Sequence, residues 1–319
     1  MHANHHKHLI SIVCPIYNEG AGIAPLYRAL VQLFEKNSQY DFEVLCIDDG
    51  SRDDSLAHLI AVQAQDPRFR IIEFSRNFGK EAALSAGVEL CKGDALIPMD
   101  ADLQHPPSVI PLLLQKWQEG YDVVLAKRTN RDEESFLKRI SAQWFYRLHN
   151  RMSSIQIPEN VGDFRLINRT VIDALKQLPE QQRFMKGLFA WVGFKTATID
   201  YTPQVRHSGS TKFSKWKLWN FALDGITSFS TAPLKIWTYI GILGAACSFT
   251  YGTFIILRTL IVGKDIPGFA SLLVGILFLG SLQLMSIGML GEYIGRIYME
   301  SKRRPTYLVR KIYEKSSGA

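Results

Sequence analysis

Cysteine is scarce in this chain and nowhere paired. Cys14, Cys46, Cys91 and Cys247 lie far apart, mostly in apolar runs, and no CxxC occurs. That excludes a zinc ribbon and a disulfide framework and predicts reduced, buried thiols. Two nucleotide fingerprints are also missing. The absence of GxGxxG and of GxxxxGK[ST] argues against a dinucleotide fold of the usual kind and against a P-loop NTPase. No apolar run long enough for a signal peptide opens the chain. A His-rich tract stands there instead, with His2, His5, His6 and His8, and residues 1–8 read as a disordered tail.

Charge is missing altogether from two stretches, Ile236–Leu257 and Phe269–Gly291. At about 1.5 Å per helical residue, each is long enough to cross roughly 30 Å of hydrocarbon. Neither shows a polar face at a 3.6-residue period, so the pair predicts a transmembrane helical hairpin within 234–298, with spans near 236–260 and 269–294. Lys212, Lys215, Lys217 and Lys235 precede the first run; Arg296, Lys302, Arg303, Arg304, Arg310 and Lys311 follow the second. Basic flanks stay on the cytoplasmic side, which places both termini and the large preceding domain there. The net charge of +7 collects beside the runs rather than along an aromatic-lined groove. An anionic membrane and phosphate-bearing substrates therefore suit it better than nucleic acid. The expected division is a catalytic domain over 9–211, interfacial helices over 212–233, the hairpin, and a basic cytoplasmic tail over 299–319.

From Leu9 to Leu125 short apolar runs alternate with helix-length segments. Ile10–Tyr17, Glu43–Ile47, Arg70–Phe74, Ala95–Met99 and Val123–Leu125 read as strands. Ile23–Phe34, Asp53–Ala64, Lys80–Cys91 and Pro107–Trp117 read as helices between them. This alternation predicts an α/β fold with a mostly parallel sheet, whose ligands bind beyond the carboxyl ends of the strands. Those positions are acidic. The first strand runs into Pro15-Ile16-Tyr17-Asn18-Glu19, the second into Asp48-Asp49-Gly50-Ser51 and the fourth into Asp100-Ala101-Asp102-Leu103-Gln104. Carboxylates at such an edge suit a divalent cation that holds a diphosphate, because Mg²⁺ and Mn²⁺ prefer oxygen ligands. Asp102 before Pro106-Pro107 also suits a helix N-cap, and the two roles are compatible. Asp48 to Ser51 equally fits a plain strand-to-helix turn.

VCPIYNE, IDDGS, RNFGKE and DADLQHPP resemble the donor-binding motifs of inverting family 2 glycosyltransferases with the GT-A fold. The likeness continues through Ala126-Lys127-Arg128, Val161 to Leu166, GSTKF from Gly209 and LGEYIGRIY from Leu290, a set similar to the polyprenyl-phosphate glycosyltransferases, dolichol-phosphate mannose synthases included. WFYRLHN, ENVGDFRL, WKLWN, GITSFST and WTYIG resemble the phage-type bactoprenol glucosyltransferases.

The resemblance implies transfer of glucose from UDP-glucose to undecaprenyl phosphate, with inversion, at the cytoplasmic face of a bacterial inner membrane, for O-antigen-type modification. It implies a Mg²⁺ or Mn²⁺ ion at Asp100, Asp102 and Gln104, with donor nucleotide at Pro15, Tyr17, Glu19, Asp49 and Asp100. Asp163, Asp102 and Arg206 are the implied catalytic set, and Arg128, Arg139, Arg206 and Lys212 the implied holders of the acceptor phosphate; Lys138 is an alternative to Arg139, and both also fit a solvated face. It further implies a homo-oligomer, a tetramer in relatives, working beside a flippase and a downstream glycosyltransferase, with no nucleic acid.

The acceptor, a phosphate monoester, is anionic at neutral pH and needs positive groups more than a general base. That favours a positioning role for Asp163. Phe136–Met152 and Phe213–Phe229 mix basic and aromatic residues at helical spacing, as helices in a headgroup layer do. A processive polysaccharide synthase usually carries QxxRW, whereas Gln181-Gln182-Arg183-Phe184 stands here.

Overall fold

In this computed structural model the described residues are 7–129, 161–180, 183, 185–202, 232–262 and 268–314. The elements are β1 (Leu9–Ile16), α1 (Gly20–Lys36), β2 (Asp41–Asp48), α2 (Ser55–Gln65), β3 (Phe69–Phe74), α3 (Lys80–Leu90) and β4 (Ala95–Pro98). A 3-10 turn at Pro107–Val109 leads into α4 (Ile110–Gln118), then β5 (Val123–Arg128), β6 (Val161–Asn168), α5 (Arg169–Lys176), α6 (Met185–Trp191) and β7 (Thr196–Tyr201). Two long helices, α7 (Ala232–Val262) and α8 (Phe269–Ser301), precede the last strand, β8 (Val309–Tyr313).

All eight strands join one sheet in the order β7-β5-β6-β4-β1-β2-β3-β8. β1 pairs in parallel with β2 and β4, β2 with β3, and β5 with β7. β6 runs antiparallel to β4 and β5, and β8 antiparallel to β3. The expected α/β fold with a mostly parallel sheet is the one observed. The first five strands fall where the apolar runs put them, because helices cover both faces and leave no side of a strand polar. On one face Ile12, Cys14, Val44 and Cys46 pack with Ile23, Leu26 and Leu30 of α1 and Leu113 of α4. On the other Val13, Leu45 and Ile47 pack with Ala83 and Ala86 of α3 and Val171 and Ile172 of α5.

α3 lies unusually close to β1. A Cβ on Gly87 would come within 2.2 Å of Val13 Cγ1, so only glycine fits at that crossing. The helix is built of small buried residues, Ala82, Ala83, Ser85 and Ala86, and this holds its first residue, Lys80, over the carboxyl edge of the sheet.

One expectation needs correction. The segment read as a basic cytoplasmic tail over 299–319 carries β8, which zips onto the outer edge of β3. Two of its residues meet one acid of the domain: Arg310 Nη1 lies 3.1 Å from Glu73 Oε1, and Tyr313 Oη donates to Glu73 Oε2 at 2.9 Å. Ahead of the strand, Tyr307 stacks on Phe74, with centroids 5.0 Å apart, and donates its hydroxyl proton to Glu89 Oε2. Two adjacent cations between Val309 and Ile312 looked like a tail in sequence, yet charge of this kind also suits an exposed edge strand.

α7 has 31 residues and α8 has 33, and both expose large apolar side chains along their length, Phe249, Leu260 and Ile261 on one and Leu272, Leu284 and Ile287 on the other. Among the described residues no helix is long and apolar enough to cross a membrane. A cavity of about 250 Å³ separates the two helices, lined by Gly241, Gly244, Ser248, Gln283 and Ser286. The interfacial segments at 136–152 and 213–229 lie outside the described residues.

Removing the Tyr307 ring and hydroxyl by Tyr307→Ala should weaken the β8 closure by about 2 kcal/mol, from a lost aromatic pair and a lost hydrogen bond to a charged acceptor. Thermal unfolding in detergent should show a melting temperature lower by roughly 4–8 °C; an unchanged value would mean that the strand docks without its aromatic anchor.

Candidate active site

The carboxyl ends of β1, β2 and β4 open onto one edge, and the reversed β6 brings its first residues to the same place. β4 and β6 pair with Ala95 opposite Asn168 and Leu96 opposite Ile167. Continued along the strands, that register sets Asp100 beside Asp163. The two carboxylates would repel, and a cation stands between them. Lys80 Nζ lies 2.6 Å from Asp100 Oδ1 and 2.9 Å from Asp163 Oδ2. Burial alone would raise the Asp100 carboxyl, but His105 and the Lys80 ammonium outweigh it and hold it well below the usual carboxylate range. Burial works against the Lys80 ammonium as well, and the two carboxylates overcome it, keeping the amine protonated far above its ordinary range.

A second branch leaves Asp100. His105 Nε2 faces its other oxygen, Oδ2, at 3.6 Å. The imidazole stacks on Phe164, with centroids 4.9 Å apart and planes at 18°, and His105 Nδ1 lies 2.8 Å from Tyr201 Oη. Arg128 Nε donates to the same hydroxyl at 3.1 Å. A guanidinium cannot accept, so Tyr201 Oη is the acceptor in that bond, and the same hydroxyl is hydrogen-bonded to His105 Nδ1. Sheet register dictates the meeting, because Arg128 ends β5 directly opposite Tyr201 at the end of β7. Six side chains thus form one continuous line: Asp163, Lys80, Asp100, His105, Tyr201 and Arg128.

The loop after β4 is shaped locally. Asp102 Oδ1 accepts from Gln104 N at 3.1 Å, folding the chain so that Leu103 adopts φ +57°. A buried leucine in the left-handed region costs about 1–2 kcal/mol, held here by the surrounding fold. Asp100, Asp102 and Gln104 are all partly accessible at this edge. Their oxygens are hard donors in one loop, which fits Mg²⁺ or Mn²⁺, and the ammonium that Asp100 already holds marks the position as cation-attracting. Among the described residues no group of three or more His, Cys, Asp or Glu side chains is arranged to hold a metal ion by itself. The remaining ligands would come from a bound diphosphate and from water.

The donor-side positions divide. Tyr17, 43 % exposed, and half-buried Pro15 and Glu19 line the edge after β1. Glu19 is fixed through its backbone, where its N–H donates to Ser55 Oγ at 2.9 Å. Asp49 is buried and works as a bracket: its two oxygens accept from Phe78 N at 2.6 Å and Gly79 N at 2.9 Å. Burial pushes its carboxyl up, partly offset by those two amides. Gly50, at φ +66°, lets the loops pass, since a Cβ there would meet the Arg76 carbonyl carbon at 2.6 Å. The role expected for Asp49 at the nucleotide is therefore joined by a structural one, fixing the loop that ends in Lys80. Arg139 with its alternative Lys138, Arg206 and Lys212 lie outside the described residues.

Residues 11–176 match the profile described as Glycosyl transferase family 2. The chain belongs to this family. The "Prophage bactoprenol glucosyl transferase homolog" of Escherichia coli (strain K12) is 51% identical over 303 residues, 95% of this chain and 99% of that protein. The "Bactoprenol glucosyl transferase" of Shigella phage SfV is 51% identical over 306 residues, 96% of this chain and 99% of the relative. Among solved structures, glucosyl-3-phosphoglycerate synthase from Mycobacterium tuberculosis in complex with Mn²⁺, UDP and glucosyl-3-phosphoglycerate covers 69% of this chain and 78% of its own, at 19% identity and a TM-score of 0.45.

Within this family 2 glycosyltransferase, sequence motifs held Lys80 and His105 in plain view, in RNFGKE and DADLQHPP, without indicating what either touches. Tyr201 had no local signal at all, because its place depends on β7 pairing with β5.

Lys80→Met leaves Asp100 and Asp163 facing each other without a counter-ion. The expected cost is about 1–3 kcal/mol at neutral pH, moderated because the ammonium is partly open to water. A carboxyl held low in the folded state lends stability above the ordinary carboxylate range and loses it only as pH falls from that range through the lowered folded value. The melting-temperature deficit of Lys80→Met should therefore be widest near pH 7, begin to shrink below about pH 5 and close only below about pH 3. A deficit independent of pH would show that the ammonium acts through packing alone.

Proposed function

We propose that the chain transfers glucose from UDP-glucose to a polyprenyl phosphate at a membrane surface, giving the glycosyl lipid and UDP. The observation that carries this reading is the likeness, over nearly the whole length of both partners, to proteins named bactoprenol glucosyl transferase. The edge described above supplies what the reaction needs. Donor and acceptor together bring several negative charges to a place where three carboxylates already stand, so positive charge must be imported or displaced there. A divalent cation held by Asp100, Asp102 and Gln104 would neutralise the leaving diphosphate as a Lewis acid.

The protein's own groups do the rest. Tyr17 offers an aromatic face to the nucleotide base, and Pro15 and Glu19 border it. Arg128 presents a guanidinium to the acceptor phosphate, with Arg206, Lys212 and Arg139 as further holders by resemblance. A phosphate oxygen attacks the anomeric carbon as the bond to the UDP oxygen breaks, and the configuration inverts. The nucleophile arrives deprotonated, so Asp163, ion-paired to Lys80, orients the reactants instead of taking a proton.

The membrane belongs to the same proposal. The charge-free runs inside α7 and α8, with their outward-facing apolar side chains and basic flanks, support a hairpin in a bacterial inner membrane. The catalytic domain and both termini then face the cytoplasm, where the sugar nucleotide is made. A homo-oligomer, a flippase for the product and a downstream glycosyltransferase on the far side complete the arrangement implied by the family.

A donor screen tests the reading: purified protein, undecaprenyl phosphate, Mg²⁺ or Mn²⁺, and UDP-glucose against UDP-galactose, UDP-N-acetylglucosamine and a modified pentose. Glucosyl lipid formed at least tenfold faster than any other product is expected, and chelation should abolish it. Preference for another sugar replaces the donor assignment; a long polymer or binding without turnover overturns the reaction. Asp163→Asn should lower kcat by more than about tenfold, or 1.4 kcal/mol of barrier, and a smaller loss removes Asp163 from the catalytic list.

A further inference from the structure

We infer that Tyr201 and His105 are positioning residues that aim the Arg128 guanidinium at the acceptor phosphate and tie that aim to Asp100 in the metal loop. The inference rests on the acceptor role proposed above for Arg128.

Tyr201 Oη accepts a hydrogen bond from Arg128 Nε, which fixes the rotation of the guanidinium about its stem. No hydrogen bond among the described residues uses its two terminal nitrogens, so a pair of parallel donors is left for one anion, the fork that suits a phosphate. The hydroxyl is itself held, since Tyr201 is only 5% exposed and its Oη shares a hydrogen bond with His105 Nδ1 at 2.8 Å. His105 has equally little freedom: it is 3% exposed, stacked on fully buried Phe164, and turns Nε2 toward Asp100 Oδ2. Phe164 and Tyr201 meet edge to face at 5.9 Å, closing a rigid aromatic bed beneath the polar line. A shift of Asp100 on loading with metal and donor is thereby passed through two buried rings to the acceptor arginine. A phenylalanine at 201 would keep every ring contact and lose only the hydroxyl, so the stability cost of the two missing hydrogen bonds can be measured apart from their effect on the acceptor.

A double-mutant cycle tests this in the full-length enzyme with Mn²⁺, UDP-glucose and undecaprenyl phosphate. Tyr201→Phe should fold, with a melting temperature lower by about 2–4 °C for each ~1 kcal/mol of lost hydrogen bonding, and keep the UDP-glucose KM within about twofold. Its kcat/KM for undecaprenyl phosphate should fall by about tenfold, and Arg128→Gln should lower the same constant by about a hundredfold. The pair together should be no worse than Arg128→Gln alone, because an unaimed arginine is all that Tyr201→Phe creates. His105→Phe, which preserves the stacking, should repeat the Tyr201→Phe profile and add nothing to it.

Losses that multiply in the double variant, or a UDP-glucose KM that moves as far as the acceptor constant, overturn the inference. Should the wild-type enzyme make no lipid product with any donor, the proposed function fails and takes this assignment with it. Lipid product with independent losses sinks this assignment alone.

Discussion

A single ammonium decides the electrostatics of this protein's working edge. Asp100 and Asp163 arrive there by different routes, one at the end of a parallel strand and the other at the start of a reversed one, and neither burial nor mutual repulsion favours their meeting. Lys80 makes the meeting stable. Its own place is a consequence of packing: α3 is composed of small residues and carries a glycine where it crosses β1, so its first turn sits low over the sheet. Moving that helix outward by the width of a methyl group would take the counter-charge away from both acids. The chemistry of the site is thus anchored in a van der Waals contact between Gly87 and Val13, about two turns along the helix from Lys80.

The reversed strand is the second constraint. In an all-parallel sheet every strand would contribute its carboxyl end to the site, and the chain would have to deliver acids through loops. β6 enters backwards and offers Gly162, Asp163 and Phe164 at the same edge, the acid facing Lys80 and the ring supporting His105. β7 then returns in parallel beside β5, which is why Tyr201 and Arg128 end together. Bringing Asp163, Asp100 and Arg128 into one line of polar contacts requires both strands, and neither is part of the N-terminal βαβ units.

Much of this was legible in the amino-acid order, and the boundary of legibility has a physical basis. The first five strands and four helices announce themselves because doubly covered strands must be apolar throughout, and because acids placed directly after such runs have few other reasons to be there. Asp100, Asp102 and Asp163 could be named as site residues from motif alone. What could not be read is anything that depends on register across the sheet. Lys80 looked like an ordinary start to a helix, the strand ending at Tyr201 went unremarked, and Asp49 suited a ligand contact or a plain turn without showing that it also brackets the Phe78 and Gly79 amides. Val309 to Tyr313 was the plainest misreading, since five residues with two cations resemble a solvated tail until Glu73 is seen opposite them.

That last strand also fixes an order of events during synthesis. The outer edge of β3 is exposed from the time residue 74 leaves the ribosome until residue 313 has followed it, an interval that spans both long helices. An open strand edge is a hazard for intermolecular pairing, so the nascent domain must be sheltered, or remain loosely folded, while the apolar segments are dealt with. Closure of the sheet by β8 then acts as a late latch, coupling maturation of the catalytic domain to the arrival of everything downstream of it.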